Sequence, residues 1–273
     1  MRPQDARILL TGATGGIGQA GARLLARAGA KLMLAGRSPA RLAAQARELQ
    51  ALHGDCASWR EADLTDAAAL SGLAQAAAGW GCNVLAHAGG APAFGLAAAQ
   101  EPQALQRVLA TNLLAPMQLT TMLLPHLQAQ PAAQVLFLGS ALGAIGLPGF
   151  STYCAGKFGL RGYAQALRRE LADTPVRVQF LGPRSTRTPF NDAAVEAYNR
   201  ATGTAMDEPG AVAQALLQLL QDEAPERFLG FPERLAVRLN GAVPTWLDGA
   251  FARHRKAAAD TAARPTDSLL PRG

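Results

Sequence analysis

Tyr153 and Lys157 stand four residues apart in the run Ser151-Thr152-Tyr153-Cys154-Ala155-Gly156-Lys157-Phe158. On a helix, positions i and i+4 share a face, so the phenol and the ammonium are neighbours. A phenol with a pKa of about 10 is a poor base at neutral pH. An adjacent ammonium favours the phenolate and lowers that pKa. Such a pair can take a proton from an oxygen or give one to it. Taken alone the spacing is weak, because a Tyr and a Lys four apart decorate many helix faces. Ser140 closes an apolar stretch thirteen residues before the tyrosine. Its hydroxyl can hold an oxygen on which charge develops.

A second cluster suits phosphate. Thr11-Gly12-Ala13-Thr14-Gly15-Gly16-Ile17-Gly18 follows an apolar stretch and opens a helical one, in the first such unit of the chain. Glycine allows a sharp turn and a close approach of backbone to a pyrophosphate. The helix N-terminus adds unpaired N–H groups and the positive end of its dipole. A tight turn that holds no ligand is the plainer alternative. The second apolar stretch ends in Ala35-Gly36-Arg37-Ser38, with Arg37 nineteen residues beyond Gly18. An acid there would bind the ribose hydroxyls of NAD. A guanidinium suits the 2′-phosphate of NADP through a charge-assisted fork, unless Arg37 is only a solvated strand end.

With these residues the chain resembles the classical short-chain dehydrogenase/reductase family over roughly residues 7–190. The turn Thr11-Gly12-x-x-x-Gly16-x-Gly18, Asn112 in Ala110-Thr111-Asn112-Leu113-Leu114, Ser140 and the Tyr153–Lys157 pair match that family as a set. The resemblance implies an oxidoreductase that interconverts a carbonyl and a secondary alcohol, with NADP(H) in preference to NAD(H). Tyr153 would then be the general acid/base as hydride moves to or from the nicotinamide. Ser140 would hold the reacting oxygen. Lys157 would also contact the nicotinamide ribose, and Asn112 would hold a water linking Lys157 to solvent. The cofactor side implied is Gly12, Thr14, Gly15, Gly16, Ile17, Gly18, Arg37, Asp63, Leu64, Ala88, Gly89, Pro183 and Thr188, together with Tyr153 and Lys157. Asp63 matches the residue that hydrogen-bonds adenine. Capping the next helix is its rival role, although Thr65 or Asp66 would serve that better. Thr188 suits the nicotinamide carboxamide. No metal is implied. A 3-oxoacyl-thioester reductase is the alternative enzyme. A dinucleotide-sensing protein without turnover is the alternative of another class, and it would have no need of the Asn-Ser-Tyr-Lys set.

The sequence departs from the family in two places. Ala86-His87-Ala88-Gly89 stands where the family usually has Asn-Asn-Ala-Gly, so a side-chain role at Ala86 is in doubt. His87 reads as a turn residue bonded to backbone, with a catalytic role as the alternative. Gly182-Pro183-Arg184 stands where Pro-Gly is usual. Arg184 and Arg187 read as surface charges, with contact to a cofactor phosphate or an acidic substrate as the sharper alternative.

The elements that must position these residues alternate along the chain. Apolar strands are expected at Arg7–Thr11, Lys31–Ala35, just before Asp63, Asn83–His87, Ala133–Ser140, Val176–Leu181 and near Arg227–Gly230. Helical patterns cover Gly16–Ala28, Pro39–Leu52, the alanine-rich stretch after Asp66, about Pro102–Gln128 with bends near Pro116 and Pro125, 151–172 and Pro209–Gln221. This alternation predicts an α/β fold: a doubly wound (Rossmann), mostly parallel sheet of about seven strands with helices on both faces. Residues 189–207 carry no strong pattern and fall where the resemblance implies a substrate lid. Leu142, Ile145, Leu147 and Phe150, between the serine and the tyrosine, would line an apolar wall. They hint at an apolar or acyl-type substrate.

The organisation expected is a catalytic domain over 1–230, a helical extension over 231–256 and a poorly ordered tail over 257–273. The extension mixes Trp246 and Phe251 with several basic residues. It reads as a cap over the cleft or a subunit contact, as a membrane-surface segment, or as a solvated hairpin. The chain of 273 residues is 49% hydrophobic, ample for one large core. Lys and Arg number 26 against 20 Asp and Glu, a net charge of +6. Five of those cations lie in the tail region, and no recognition module accompanies them, which argues against nucleic acid. Cys56, Cys82 and Cys154 have no CxxC spacing, so free thiols and a cytoplasmic setting are expected. No stretch reads as the roughly 20 apolar residues of a spanning helix. A homodimer or homotetramer is the expected assembly.

Overall fold

A computed structural model describes residues 1–262. Strand and helix alternate: β1 (Arg7–Thr11), α1 (Gly16–Arg27), β2 (Lys31–Gly36), α2 (Pro39–His53), β3 (Ala57–Glu61), α3 (Ala67–Gly79), β4 (Val84–His87), α4 (Pro102–Leu109), α5 (Ala115–Gln128), β5 (Ala133–Leu138), α6 (Ser151–Glu170), β6 (Val176–Gly182), α7 (Ala193–Thr202), α8 (Pro209–Asp222) and β7 (Glu226–Phe228). Beyond β7 come α9 (Glu233–Ala242), a 3₁₀ segment over Pro244–Phe251, and α10 (Ala252–Ala262). The seven strands form one parallel sheet in the order β3-β2-β1-β4-β5-β6-β7.

Parallel pairing needs crossovers, so helices cover both faces and the central strands are apolar on both sides. β1 illustrates this. Ile8 and Leu10 pack into one core with Leu25, Leu42 and Leu216 of α1, α2 and α8. Leu9 points the other way, into a core with Leu73, Leu123 and Leu160 of α3, α5 and α6. Winding reverses between β1 and β4, which opens a crevice at the carboxyl ends of the strands. The expected fold class and strand count hold.

Several local expectations do not. The long helix is interrupted near Pro116, as a π turn around Asn112, but not at Pro125. Ala110–Leu114 winds as a π turn between α4 and α5. Pro116 acts one turn upstream of itself: it has no N–H for the Asn112 carbonyl four residues back, and the ladder widens there. Pro125 is carried inside α5. The whole run Pro102–Gln128 is also long and apolar enough, by length and composition, to cross a membrane, contrary to the expectation. Leu119, Leu123 and Leu127 are fully buried against the sheet, which is the place of a core helix.

Residues 189–207, read as patternless, contain α7. Asp192 caps it, accepting from the Val195 amide at 2.8 Å, and Gly203 ends it at φ +69°. Both are sequence-level helix signals. The extension does not stop at 256. α10 runs to Ala262, and Ala257 and Ala258 are buried with Tyr198, Phe94 and Phe150. The rest of the expected tail, 263–273, lies outside the described residues. Arg184 is neither a free surface charge nor aimed at a phosphate. Its guanidinium pairs with Asp207 at 2.8 Å and Glu233 at 3.4 Å, tying the turn after β6 to the start of α9. Arg187 pairs with Glu208 at the surface.

Candidate active site

The glycine turn and the loop after β4 meet at the crevice. A Cβ on Gly12 would come within 2.5 Å of Gly89 Cα, and Gly12 has φ +65°. A Cβ on Gly18 would lie 2.1 Å from the Gly12 carbonyl oxygen. The turn therefore closes only with glycine at both positions. Leu64 lies over Gly89 and Thr188 over Gly16, each within 2.8 Å of where a Cβ would stand. Ala88 hydrogen-bonds β1 through the Thr11 carbonyl. The Pro183 carbonyl accepts from the Ala141 amide at 2.8 Å, joining the turn after β6 to the segment that follows Ser140.

The cradle fits a dinucleotide. Gly15 is the N-cap of α1 and supplies no side-chain cap, so the first amides of α1 have no side-chain acceptor from that residue. The Thr11 hydroxyl, near Gly89, is buried and has no partner. Gly12→Ala is expected to destabilise the fold by more than about 1 kcal/mol and to abolish dinucleotide binding. Thermal unfolding and a cofactor titration measure both; an unchanged melting temperature would show that the turn relaxes.

Arg37 is exposed at the end of β2, near Asp63. The Asp63 carboxylate accepts from the Thr65 amide and hydroxyl, both at 2.8 Å. Those bonds hold its pKa below the usual carboxylate range, with a smaller contribution from Arg37. The helix cap belongs to Asp66, which accepts from Ala68 N–H. Arg41 was missed from the sequence. Its Nη2 reaches the Thr14 carbonyl at 2.6 Å, so it lies across the glycine turn. The legible signal was a second arginine one turn beyond Arg37 in the helix that Ser38 caps.

Asn112, Ser140, Tyr153 and Lys157 converge from the π turn, the end of β5 and α6. A Cβ on Gly90 would lie 3.4 Å from Asn112 Oδ1 and 3.9 Å from Lys157 Nζ. The Asn112 amide is fully buried. It accepts from Ala91 N–H at 2.7 Å and donates to the Ala91 carbonyl at 2.9 Å. It thus clamps the loop after β4. Lys157 Nζ donates to the Leu138 carbonyl at 3.1 Å and stands 5.7 Å from the centre of the Tyr153 ring. Ser140 Oγ accepts from Leu142 N–H at 3.0 Å.

The electrostatics correct the simple expectation that the ammonium lowers the phenol's pKa. Burial pushes Tyr153 well above the ordinary phenol value, and the hydrogen bond with Ser140 offsets only part of that. Burial also brings Lys157 down to about 8. In this arrangement Tyr153 is a firmly protonated phenol, able to donate.

His87 is not bonded to backbone. Its Nε2 meets Thr120 Oγ1 at 2.9 Å, and its ring stacks on Phe137 at 5.1 Å. Burial, aided by the charge on Lys157, lowers its pKa to about 3, so the ring stays neutral. It is a packing residue. Gly182 also has its own reason. A Cβ there would strike Phe228 of β7 at 2.3 Å. Arg184, at the family's glycine position, needs no left-handed backbone, since Glu223 is the one non-glycine residue with positive φ among the described residues.

Of the four residues expected to wall the cleft, three pack against the extension or α7. Ile145 and Leu147 pack on Val237 of α9, and Phe150 packs with α7 and α10. Phe190, just before α7, sets its ring 6.0 Å from that of Tyr153. Tyr198 of α7 meets His254 of α10 at 2.8 Å. The three cysteines are free and buried.

The profile of the short chain dehydrogenase family matches residues 6–199. Dehydrogenase/reductase SDR family member 7B of Bos taurus is 31% identical over 228 residues, covering 80% of this chain and 69% of that protein. The ketoacyl reductase HetN of a Nostoc species is 30% identical over 223 residues, covering 80% and 76%. Among solved structures, a short chain dehydrogenase/reductase from Burkholderia phymatum in complex with NAD superposes with a TM-score of 0.80. It shares 21% identity, with 89% of this chain and 95% of that chain covered.

Proposed function

Because the chain belongs to the short chain dehydrogenase family, and is thereby an NAD(P)-dependent dehydrogenase/reductase, we propose that it uses NADP(H) to reduce a carbonyl to a secondary alcohol, reversibly, with Tyr153 as general acid/base. The observation that carries this reading is the convergence of Ser140, Tyr153 and Lys157 beside the Asn112 clamp, at the mouth of the glycine cradle.

The bound nicotinamide would supply or accept the hydride. The chain does the rest. The first turn of α1, with Gly12 through Gly18, would face the pyrophosphate. Arg37 would take the 2′-phosphate, and Arg41, the residue the sequence did not reveal, would stand beside it. Asp63, Leu64, Ala88, Gly89, Pro183 and Thr188 would line the remaining length. Tyr153 would give its proton to the carbonyl oxygen while Ser140 donates to the same oxygen and steadies its charge. Lys157 would stabilise the phenolate left behind.

This reading predicts opposite pH trends. Reduction needs protonated Tyr153 and gains from a charged Lys157. Its kcat/KM should be flat at low pH and fall as pH rises through about 8, where Lys157 loses its proton. Oxidation needs the phenolate and should rise with pH. A reduction profile level to pH 10 would remove Lys157 from the mechanism.

A panel of carbonyl compounds followed by NADPH absorbance tests the function directly. Turnover of none, with tight NADPH binding, would favour a dinucleotide sensor. The apolar wall and the similarity to a ketoacyl reductase support one narrower reading, a 3-oxoacyl-thioester substrate, and such thioesters belong in the panel. Exposed Leu114, Met122 and Phe158 suit burial in a homodimer or homotetramer, and free cysteines suit the cytoplasm.

A further inference from the structure

Phe231 and Trp246 are 79% and 86% exposed. Large aromatics held this far into water mark an interaction surface when they stand in a group. Here they flank α9, whose two sides differ. The inner side packs down: Val237 lies against Ala144 and Ile145, Asn240 Nδ2 donates to the Ala144 carbonyl at 2.9 Å, and Glu233 pairs with Arg184. The outer side carries Leu235 and Leu239, 49% and 44% exposed and four residues apart, followed by exposed Val243. Arg234 and Arg238, also four apart, border that stripe and remain exposed. Neither pairs with an acid among the described residues, and the neighbouring Glu233 is already held by Arg184.

We propose that this face is a docking surface for a membrane bearing anionic lipid. Phe231, Leu235, Leu239 and Trp246 would enter the boundary between headgroups and acyl chains, and Arg234 and Arg238 would meet lipid phosphates. The charge pattern selects this occupant. A second copy docking through the same face would gather the arginines of both chains in one interface, where Asp248, beside Trp246, is the one exposed acid of residues 231–252. An anionic lipid surface answers both the apolar stripe and its basic border, and Trp favours the headgroup level. The net charge of +6 adds a favourable long-range attraction. The inner side of α9 backs the segment that follows Ser140, so the docked face lies behind one wall of the cleft. The surface stands independently of the reaction proposed above.

Co-sedimentation of the full chain with vesicles tests it. Vesicles of phosphatidylcholine with phosphatidylglycerol should bind at least about tenfold more tightly than phosphatidylcholine alone, with a loss of binding at high salt. Trp fluorescence should shift to the blue on binding. Phe231→Ser with Trp246→Ser should lower partitioning by about tenfold or more. Arg234→Gln and Arg238→Gln should each lower it about fivefold on anionic vesicles only. Circular dichroism and NADPH binding, unchanged in all of these variants, would show that they are folded. Two results would overturn the proposal: no binding of the intact chain to either vesicle, or equal binding by the variants. A third would be a dimer that the serine variants convert to a monomer without any vesicle binding, which would assign the face to a second copy.

Discussion

Tyr153→Phe should leave a folded protein that binds NADPH normally and reduces carbonyl substrates about a thousandfold more slowly. The substitution removes one oxygen and keeps the ring. That ring contacts Phe190 edge to face and lies 5.7 Å from Lys157 Nζ, neither of which depends on the hydroxyl. The lost hydroxyl is the buried proton donor that Ser140 engages. Stability should change little, because the phenol is uncharged near neutral pH whether folded or unfolded and no backbone group relies on its hydroxyl. Stopped-flow or steady-state kinetics with an active carbonyl substrate, beside a cofactor titration, separates the two effects. A kcat within a few-fold of the parent would hand proton transfer to another donor. His87 is a poor candidate for that, since it is neutral, stacked on Phe137 and bonded to Thr120.

The second large effect concerns cofactor choice. Arg37→Ala should weaken NADPH binding by about ten- to a hundredfold and NADH binding hardly at all. The 2′-phosphate is the difference between the two molecules, and a charge-assisted fork to it has no counterpart in NADH. Arg41→Ala should add to the loss, because its guanidinium already lies on the Thr14 carbonyl at the same turn. The Asp63 carboxylate nearby is committed to Thr65 and slightly favoured as an anion by Arg37. Removing the arginine would leave that anion facing the phosphate, which sharpens the discrimination in the same direction. Equal weakening of both nucleotides would show that Arg37 supports the turn and does not read the phosphate. Fluorescence titration of the free chain with each nucleotide decides it.

Much of this was legible because it is local. Strand and helix periods, the Gly12–Gly18 spacing, and the i, i+4 placement of Tyr153 and Lys157 all lie within a few residues of chain. Steric limits on the backbone act at that range, so the sequence predicts the alternation and the sheet it forms. The caps of α2 and α3, at Ser38 and Asp66, follow from the same short-range chemistry. Even α7 had its signals, Asp192 and Gly203, though no apolar period drew attention to them.

What the sequence could not supply was the environment of each group. Spacing put an ammonium beside a phenol and implied a lowered pKa. The folded chain takes both groups out of water, and that loss of hydration raises Tyr153 and lowers Lys157. His87 found a side chain on α5 in place of a backbone group, because β4 and α5 pack together across more than thirty residues of sequence. Arg184 became a tie between two acids from distant segments. Asn112 became a clamp on Ala91. By itself, then, the sequence determined the pairing of Tyr153 with Lys157 on one helix face, the glycine turn and the order of the elements. Only the tertiary structure decided the protonation states, the partners of the buried polar groups and the outward face of α9. Those depend on which surfaces leave water, and that is settled by contacts between residues far apart in the chain.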